Sequence, residues 1–314
     1  MGGMESCCSG GLKMLLMPAA GTHTMEWSGF GEAEPDSLAL LAEVRLQAPD
    51  AAAAEASRSF LMDGLGAVAD KDGRPSAGLS SLVIDASHTG LARPWPGQLY
   101  VWVEDLQLAW KACVGVEAKL SCTIVEQAVC CADEHRADCL VLRDPGTETI
   151  FVVNQAPKGY SRSLREAGLC GGDSNLLSVV DVMVNVPPAS ASGVASFYRQ
   201  LLSAAVAQTK DGCWRVYFAD GDLVRQSLTF REDEGAEAED FGGQRLCLYM
   251  PSAVKYRLAL AKCTKAALAE DCVDKVEFSL RRMGADPAAL DLEHVIRSPE
   301  PCEFLVASQA NRGA

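Results

Sequence analysis

The sequence has no CxxC pair, no glycine-rich phosphate loop, no GxSxG elbow and no HExxH helix, and each absence removes a chemistry. Without CxxC a structural zinc site lacks its usual thiolate ligands. Without the other three, phosphate cradling, α/β-hydrolase catalysis and zincin-type proteolysis have no motif to rest on. No apolar run is long enough to span a bilayer, and Met14 to Ala20 is too weak for a signal peptide. Positive charge is also scarce, with 28 Lys and Arg against 42 Asp and Glu for a net charge of -14. No basic surplus is left to neutralise phosphates, which argues against nucleic acid and bare anionic membrane as partners. The four histidines (His23, His88, His135, His294) are too dispersed to support a two-His-one-carboxylate iron site.

What is present describes a large globular chain. With 314 residues, 48% of them hydrophobic, it can bury a sizeable core and exceeds the usual span of one compact domain, so two domains are expected. The 13 cysteines are odd in number and scattered, and several, such as Cys247 and Cys263, lie in apolar-periodic runs. Reduced thiols there act as small hydrophobes, which favours a reducing, cytoplasmic compartment. The opening Met1-Gly2-Gly3-Met4-Glu5-Ser6 fits N-myristoylation of Gly2, and Cys7 and Cys8 beside it could take palmitate. Together these supply the two signals that a stable acyl anchor needs. The competing reading is a disordered tail over residues 1–38 with idle thiols.

Self-similarity organises the rest. Glu43-Val-Arg-Leu-Gln-Ala-Pro49-Asp50, followed by an Ala-rich stretch to Phe60, returns as Asp181-Val-Met-Val-Asn-Val-Pro187-Pro188 and an Ala/Ser-rich stretch to Phe197-Tyr198. Each copy alternates like a half-buried strand, breaks at proline, then shifts to helical spacing. A second pair sets Gln98-Leu-Tyr-Val-Trp-Val-Glu-Asp105 against Arg245-Leu-Cys-Leu-Tyr-Met-Pro-Ser252, each opening a further unit that closes with Asp-Pro before a strand. Four strand-first units follow, beginning near Ala39, Gly97, Ser178 and Gly243. Taken in sequence order they predict one domain over 39–155, a linker over 156–177 and a second domain over 178–310.

This fourfold order, with Val184-Asn-Val-Pro187, Phe197-Tyr198 and Val101-Trp-Val-Glu-Asp105, resembles the vicinal oxygen chelate superfamily of glyoxalases, bleomycin resistance proteins and extradiol dioxygenases. The resemblance implies an α+β fold of four βαβββ-type units paired into two cup-shaped mixed-sheet domains, with a metal or ligand on the concave face. Inward positions at the start of each opening strand and in each closing strand then converge.

Carried onto this sequence, the first domain's opening positions fall on Glu43 and Gln98 and its closing position on Phe151, with His88 a possible third ligand. Glu43, His88 and Gln98 would hold one divalent ion (Zn, Ni, Mn or Fe). In the second domain the positions hold Asp181, Arg245 and Glu293, with Gln226 or Thr229 from the third unit's closing strand. Arginine cannot ligate a cation. The resemblance therefore suggests that the Arg245 guanidinium takes the metal's place between Asp181 and Glu293, or else that these residues form an ordinary ion pair. Glu293 and His294 are neighbours on one strand and should face opposite ways. The resulting expectation is a cup that binds a small polar or aromatic ligand through Asp181, Arg245, Glu293 and Gln226, its metal sites degenerate and no cofactor assured. The alternative is a divalent-metal-dependent lyase, isomerase or dioxygenase.

Overall fold

The structure is a computed structural model of the chain. It describes residues 38–87, 92–114, 123–126, 129–130, 137–219, 225–237, 241, 243–266, 269–273, 277–280, 292–300 and 302. Gly2, Cys7, Cys8 and His88 lie outside the described residues.

Four units appear in the order expected. The first runs β1 (Leu40–Ala48), α1 (Ala51–Ser59), β2 (Val68–Ala69), β3 (Pro75–Ala77) and β4 (Ser80–Ala86). The second runs β5 (Gly97–Val103), α2 (Leu106–Cys113), β6 (Thr123–Glu126), β7 (Val129–Cys130), β8 (Ala137–Arg143) and β9 (Ile150–Gln155). A connecting helix, α3 (Tyr160–Glu166), precedes the third unit: β10 (Leu176–Val186), α4 (Ala191–Leu201), β11 (Val206–Gln208), β12 (Trp214–Ala219) and β13 (Arg225–Glu232). The fourth comprises β14 (Arg245–Tyr249), α5 (Ala253–Lys265), β15 (Ala269–Val273), β16 (Glu277–Leu280) and β17 (Glu293–Arg297). Side-chain caps start three of the unit helices: Asp50 accepts from the amide of Ala53, Asp105 from Gln107 and Leu108, and Ser252 from Lys255.

The pairing of units departs from sequence order. One sheet runs β15-β16-β17-β14-β1-β4-β3-β2, and the other runs β11-β12-β13-β10-β5-β9-β8-β6 with β7 on β8. The first unit therefore pairs with the fourth, and the second with the third, rather than 1 with 2 and 3 with 4. Within a unit, opening and closing strands are parallel neighbours, as in β1–β4 and β10–β13. Between units, two opening strands meet antiparallel, as in β1–β14 and β5–β10. The second junction is a tight one: Gly97 has φ of 146°, and a Cβ there would lie 2.1 Å from the carbonyl of Met183. Only glycine lets β5 begin so close to β10.

Alternation then sorts the faces. Val44, Leu46, Leu246, Leu248, Leu99, Val101, Val182 and Val184 enter one large core that also takes Ala54, Leu106, Tyr198 and Tyr256 from the helices. The opposite face, the inside of each cup, carries the polar residues. The segment read as a linker is structured. Tyr160 of α3 packs edge-on against Trp102 at 4.9 Å, and Arg165 pairs with Glu104. Among the described residues no helix is long and apolar enough to cross a membrane, and Cys113, Cys139, Cys170, Cys213, Cys247, Cys263 and Cys302 are free thiols.

Candidate functional site

The non-sequential pairing redistributes the residues expected to act together. Glu43, Arg245 and Glu293 share the 1–4 sheet, whereas Gln98 and Asp181 share the 2–3 sheet. Glu43 and Gln98 therefore cannot ligate one ion between them, and Asp181 does not bridge to Arg245. Both corrections have one cause: similarity of the opening strands identifies the units but does not say which strand completes which sheet.

Equivalent geometry prepares each cup. In β1 the register slips between Leu41 and Glu43, and in β10 it slips between Val179 and Asp181. A bulge thus stands immediately before each carboxylate, bending the strand and re-aiming the side chain inward. Glu43 is buried opposite Cys247 and beside Ser81; Asp181 is buried opposite Tyr100 and beside Ser227.

The insides of the cups differ in chemistry. In the 1–4 cup, Arg45 donates from Nε and Nη2 to Glu43 at 3.1 and 3.0 Å and from Nη1 to Asp85 at 3.0 Å. Arg74 reaches the other Glu43 oxygen at 3.4 Å. Arg245 pairs with Glu293 at 2.9 Å, and Arg297 with Glu277 at 2.8 Å. Four guanidinium groups thus face four carboxylates around Cys247, whose thiol burial pushes up to about 12. That thiol stays protonated and acts as filler.

In the 2–3 cup, Asp181 is fully enclosed and accepts from Ser227 at 2.7 Å and from Thr229 at 2.8 and 3.0 Å. Burial raises its carboxyl above the ordinary carboxylate range, and the nearby Arg215 and the two hydroxyls only partly offset this. Gln98 accepts from the Tyr100 hydroxyl at 2.8 Å. The strand residue beside Gln98 is Ile150, not Phe151, which points the other way into the helix-side core against Phe60.

Two further residues resolve plainly. Gln226 faces away from the cup: its oxygen accepts from the amide of Leu41 at 2.9 Å, and its nitrogen lies 2.7 Å from the Ser80 hydroxyl and 3.2 Å from the Val179 carbonyl. It stitches the two sheets together at both bulges and lines no site, so its assignment to the ligand set is corrected. Thr229, the alternative to it, is the inward residue. His294 turns from Glu293 into the core, where its Nε2 lies 2.5 Å from the Tyr198 hydroxyl and its Nδ1 3.0 Å from the carbonyl of Leu292. Burial lowers its pKa to about 4. The ring is neutral, with Nδ1 donating to the carbonyl and Nε2 accepting from the tyrosine.

Among the described residues neither cup offers a divalent ion a suitable set of donors. In the 1–4 cup a guanidinium stands between the carboxylates, and in the 2–3 cup the four central positions hold one carboxylate, an amide, a serine and Ile150. Among the described residues no group of three His, Cys, Asp or Glu side chains could hold a metal. Sequence reasoning passed over Arg45, Arg74 and Asp85 in one cup and Arg215 and Arg231 in the other. For Arg45 and Arg231 the signal was charge at an inward strand position two residues on from Glu43 and Thr229, whereas Arg74, Asp85 and Arg215 carried no such marker.

No family model matches the chain, and no curated protein matches it. Solved structures do. A crystal structure from Bacillus subtilis subsp. subtilis str. 168 that bears a provisional dioxygenase name superposes with a TM-score of 0.53 at 9% identity, over 84% of this chain and 86% of that one. The 2,2',3-trihydroxybiphenyl 1,2-dioxygenase of Sphingomonas wittichii strain RW1 aligns over 83% of this chain and 91% of that chain at 18% identity, with a TM-score of 0.28. A lactoylglutathione lyase of Agrobacterium tumefaciens covers 38% of this chain and 92% of its own at 15% identity, with a TM-score of 0.25. The first shows the fold: two cup-shaped mixed sheets, each built of two βαβββ-type units, an architecture shared with that structure.

Proposed function

We propose that the chain is a small-molecule-binding protein on the glyoxalase/dioxygenase fold, its cups adapted from metal-centred chemistry to recognition by side chains alone. The observation that carries this is the pairing of Arg245 with Glu293 at 2.9 Å, on a strand next to the one that aims Glu43 into the same cup. Where two carboxylates converge, the counter-charge is already supplied by arginine, which has no lone pair for a metal and no free coordination position to offer a substrate. What both cups retain is a curved wall with a few convergent polar groups, the usual requirement for orienting a small polar or aromatic ligand.

The test pairs two measurements on the whole protein. After dialysis against zinc, nickel, manganese or iron(II), elemental analysis should find well below one equivalent of each. A thermal-shift panel of small organic acids and phenols should contain members that raise the melting temperature in a concentration-dependent way. One equivalent of a divalent ion, lost on Glu43→Gln or Asp181→Asn, would overturn the reading, as would a panel without effect.

A further inference from the structure

The two cups are related positions filled to opposite effect. In the 1–4 cup every guanidinium named above has a carboxylate partner. In the 2–3 cup Arg215 donates its Nε to the Thr229 hydroxyl at 3.0 Å, and Arg231 donates its Nε to Asn185 at 3.2 Å. Among the described residues no carboxylate lies in ion-pair contact with either, and neither donates a hydrogen bond from its terminal nitrogens, although the Arg215 charge reaches the nearby Asp181 carboxyl. Arg215 sits opposite Thr229 on β12, so Arg231 is its diagonal neighbour, with Cβ atoms roughly 7 Å apart. Two forked donors thus stand on one wall of a cup whose own carboxylate, Asp181, is already held by two hydroxyls.

The facing wall is largely apolar, with Arg143, paired with Glu148, at its edge opposite Ile150. Tyr100 and Ile150 pack with Val141 and Val152 in a small cluster on the inside of β5, β8 and β9, separate from the main core. Thr229, Asp181 and Tyr100 lie on successive strands β13, β10 and β5. Two strand spacings, roughly 10 Å in all, therefore divide the base of the guanidinium wall from the aromatic one. That span suits a single ring with one carboxylate, the acid turned to the arginines and the ring to Tyr100. Planar bidentate recognition of a carboxylate is what a guanidinium does better than an ammonium.

We infer that the inside of the 2–3 cup is a binding site for a small aromatic carboxylate, anchored by Arg215 with Arg231 and seated on Tyr100, Ile150 and Val152. The inference rests on the reading of the chain as a ligand-binding cup protein and assigns the cup and the ligand class.

Titration calorimetry of the full chain at low salt tests it, with benzoate as probe, benzamide as its neutral counterpart and inorganic phosphate as a bare anion. Benzoate should bind at least tenfold more tightly than benzamide or phosphate. Arg215→Gln should weaken benzoate tenfold or more, Arg215→Lys by less, and Arg245→Gln should leave it unchanged. Thermal melts report whether each variant is folded, and the benzoate-to-benzamide ratio needs no variant at all. Equal binding of benzoate and benzamide, or no effect of Arg215→Gln in folded protein, would overturn the inference. Loss on Arg245→Gln would move the site to the other cup and leave the broader reading standing. A wild type that binds some other organic molecule but not benzoate removes only the ligand class, whereas one that binds nothing in the panel removes both.

Discussion

Arg45 and Arg245 stand directly opposite each other across the antiparallel β1–β14 ladder. Like charges so placed destabilise a sheet unless something neutralises them. Here each is drawn sideways by its own carboxylates, Arg45 by Glu43 and Asp85, and Arg245 by Glu293. Across β4, β1, β14 and β17 the charges run acid, arginine, arginine, acid, so the junction between the first and fourth units is held by an arrangement in which removing one acid exposes a repulsion.

Glu43 is the acid on which most depends, because its side chain is only 7% exposed and serves both Arg45 and Arg74. Glu43→Gln should lower the unfolding free energy by about 2 kcal/mol, less than the full penalty of orphaning a buried charge because an amide oxygen remains as acceptor. Arg245→Leu alone should cost under about 1 kcal/mol, since that pair is roughly a third exposed to solvent and screened. Combined, the two should recover part of the first loss by removing the facing charge. Urea denaturation of the four proteins in a double-mutant cycle measures this, and strictly additive losses would contradict it.

Gln226 carries a different kind of load. Replacing it with Ala strands the buried amide of Leu41 and loosens the contact with Ser80 and the Val179 carbonyl, all between the two sheets. A loss of about 3 kcal/mol is expected from several unsatisfied buried groups. Chemical denaturation that finds less than about 1 kcal/mol would show that the clasp is incidental.

The His294–Tyr198 contact makes stability depend on pH with a definite sign. The folded-state pKa of His294, about 4, lies below its unfolded value of about 6.5. Its contribution is therefore complete above pH 6.5 and is lost as pH falls toward 4, by up to about 3 kcal/mol. Unfolding of wild type at pH 7.5 and pH 5 should differ by more than unfolding of the paired variant Tyr198→Phe with His294→Leu. Identical pH profiles would contradict the assignment.

Cutting the chain in the segment 156–177 should not yield two independent folds. Each half supplies one unit to each sheet, so residues 39–155 alone would leave both β1 and β5 without their antiparallel partners. Expressed separately the halves should be aggregated or unfolded, and expressed together they should copurify as a complex. A monomeric, cooperatively melting N-terminal half would refute this.

The sequence carried the units well and their partnership poorly. Repetition of the Glu43 and Asp181 segments marked two strands, though β10 is buried on both faces where its alternation implied one exposed face, and Leu106, Ala191 and Ala253 begin helices near the expected places. Nothing in the alternation of Gln98 to Val103 or of Arg245 to Tyr249 distinguishes a partner for β1, because both strands offer an apolar face of the same period. Only tertiary constraints such as the close approach at Gly97 make that choice. Gln226 misled for a related reason: near the start of a strand that pairs from Arg225 onward, one residue of register decides whether a side chain faces the cup or the neighbouring sheet. The linker helix was hidden because its anchors, Tyr160 on Trp102 and Arg165 on Glu104, are long-range contacts between polar-looking stretches.

The order in which the sheets are completed has a mechanical consequence. Because the second and third units pair with each other between strands that the first and fourth contribute to a common sheet, the middle pair is nested inside the outer one. Tension applied to the two ends of the molecule would load the β1–β14 ladder first, and the inner cup would feel the pull only after that seam had parted.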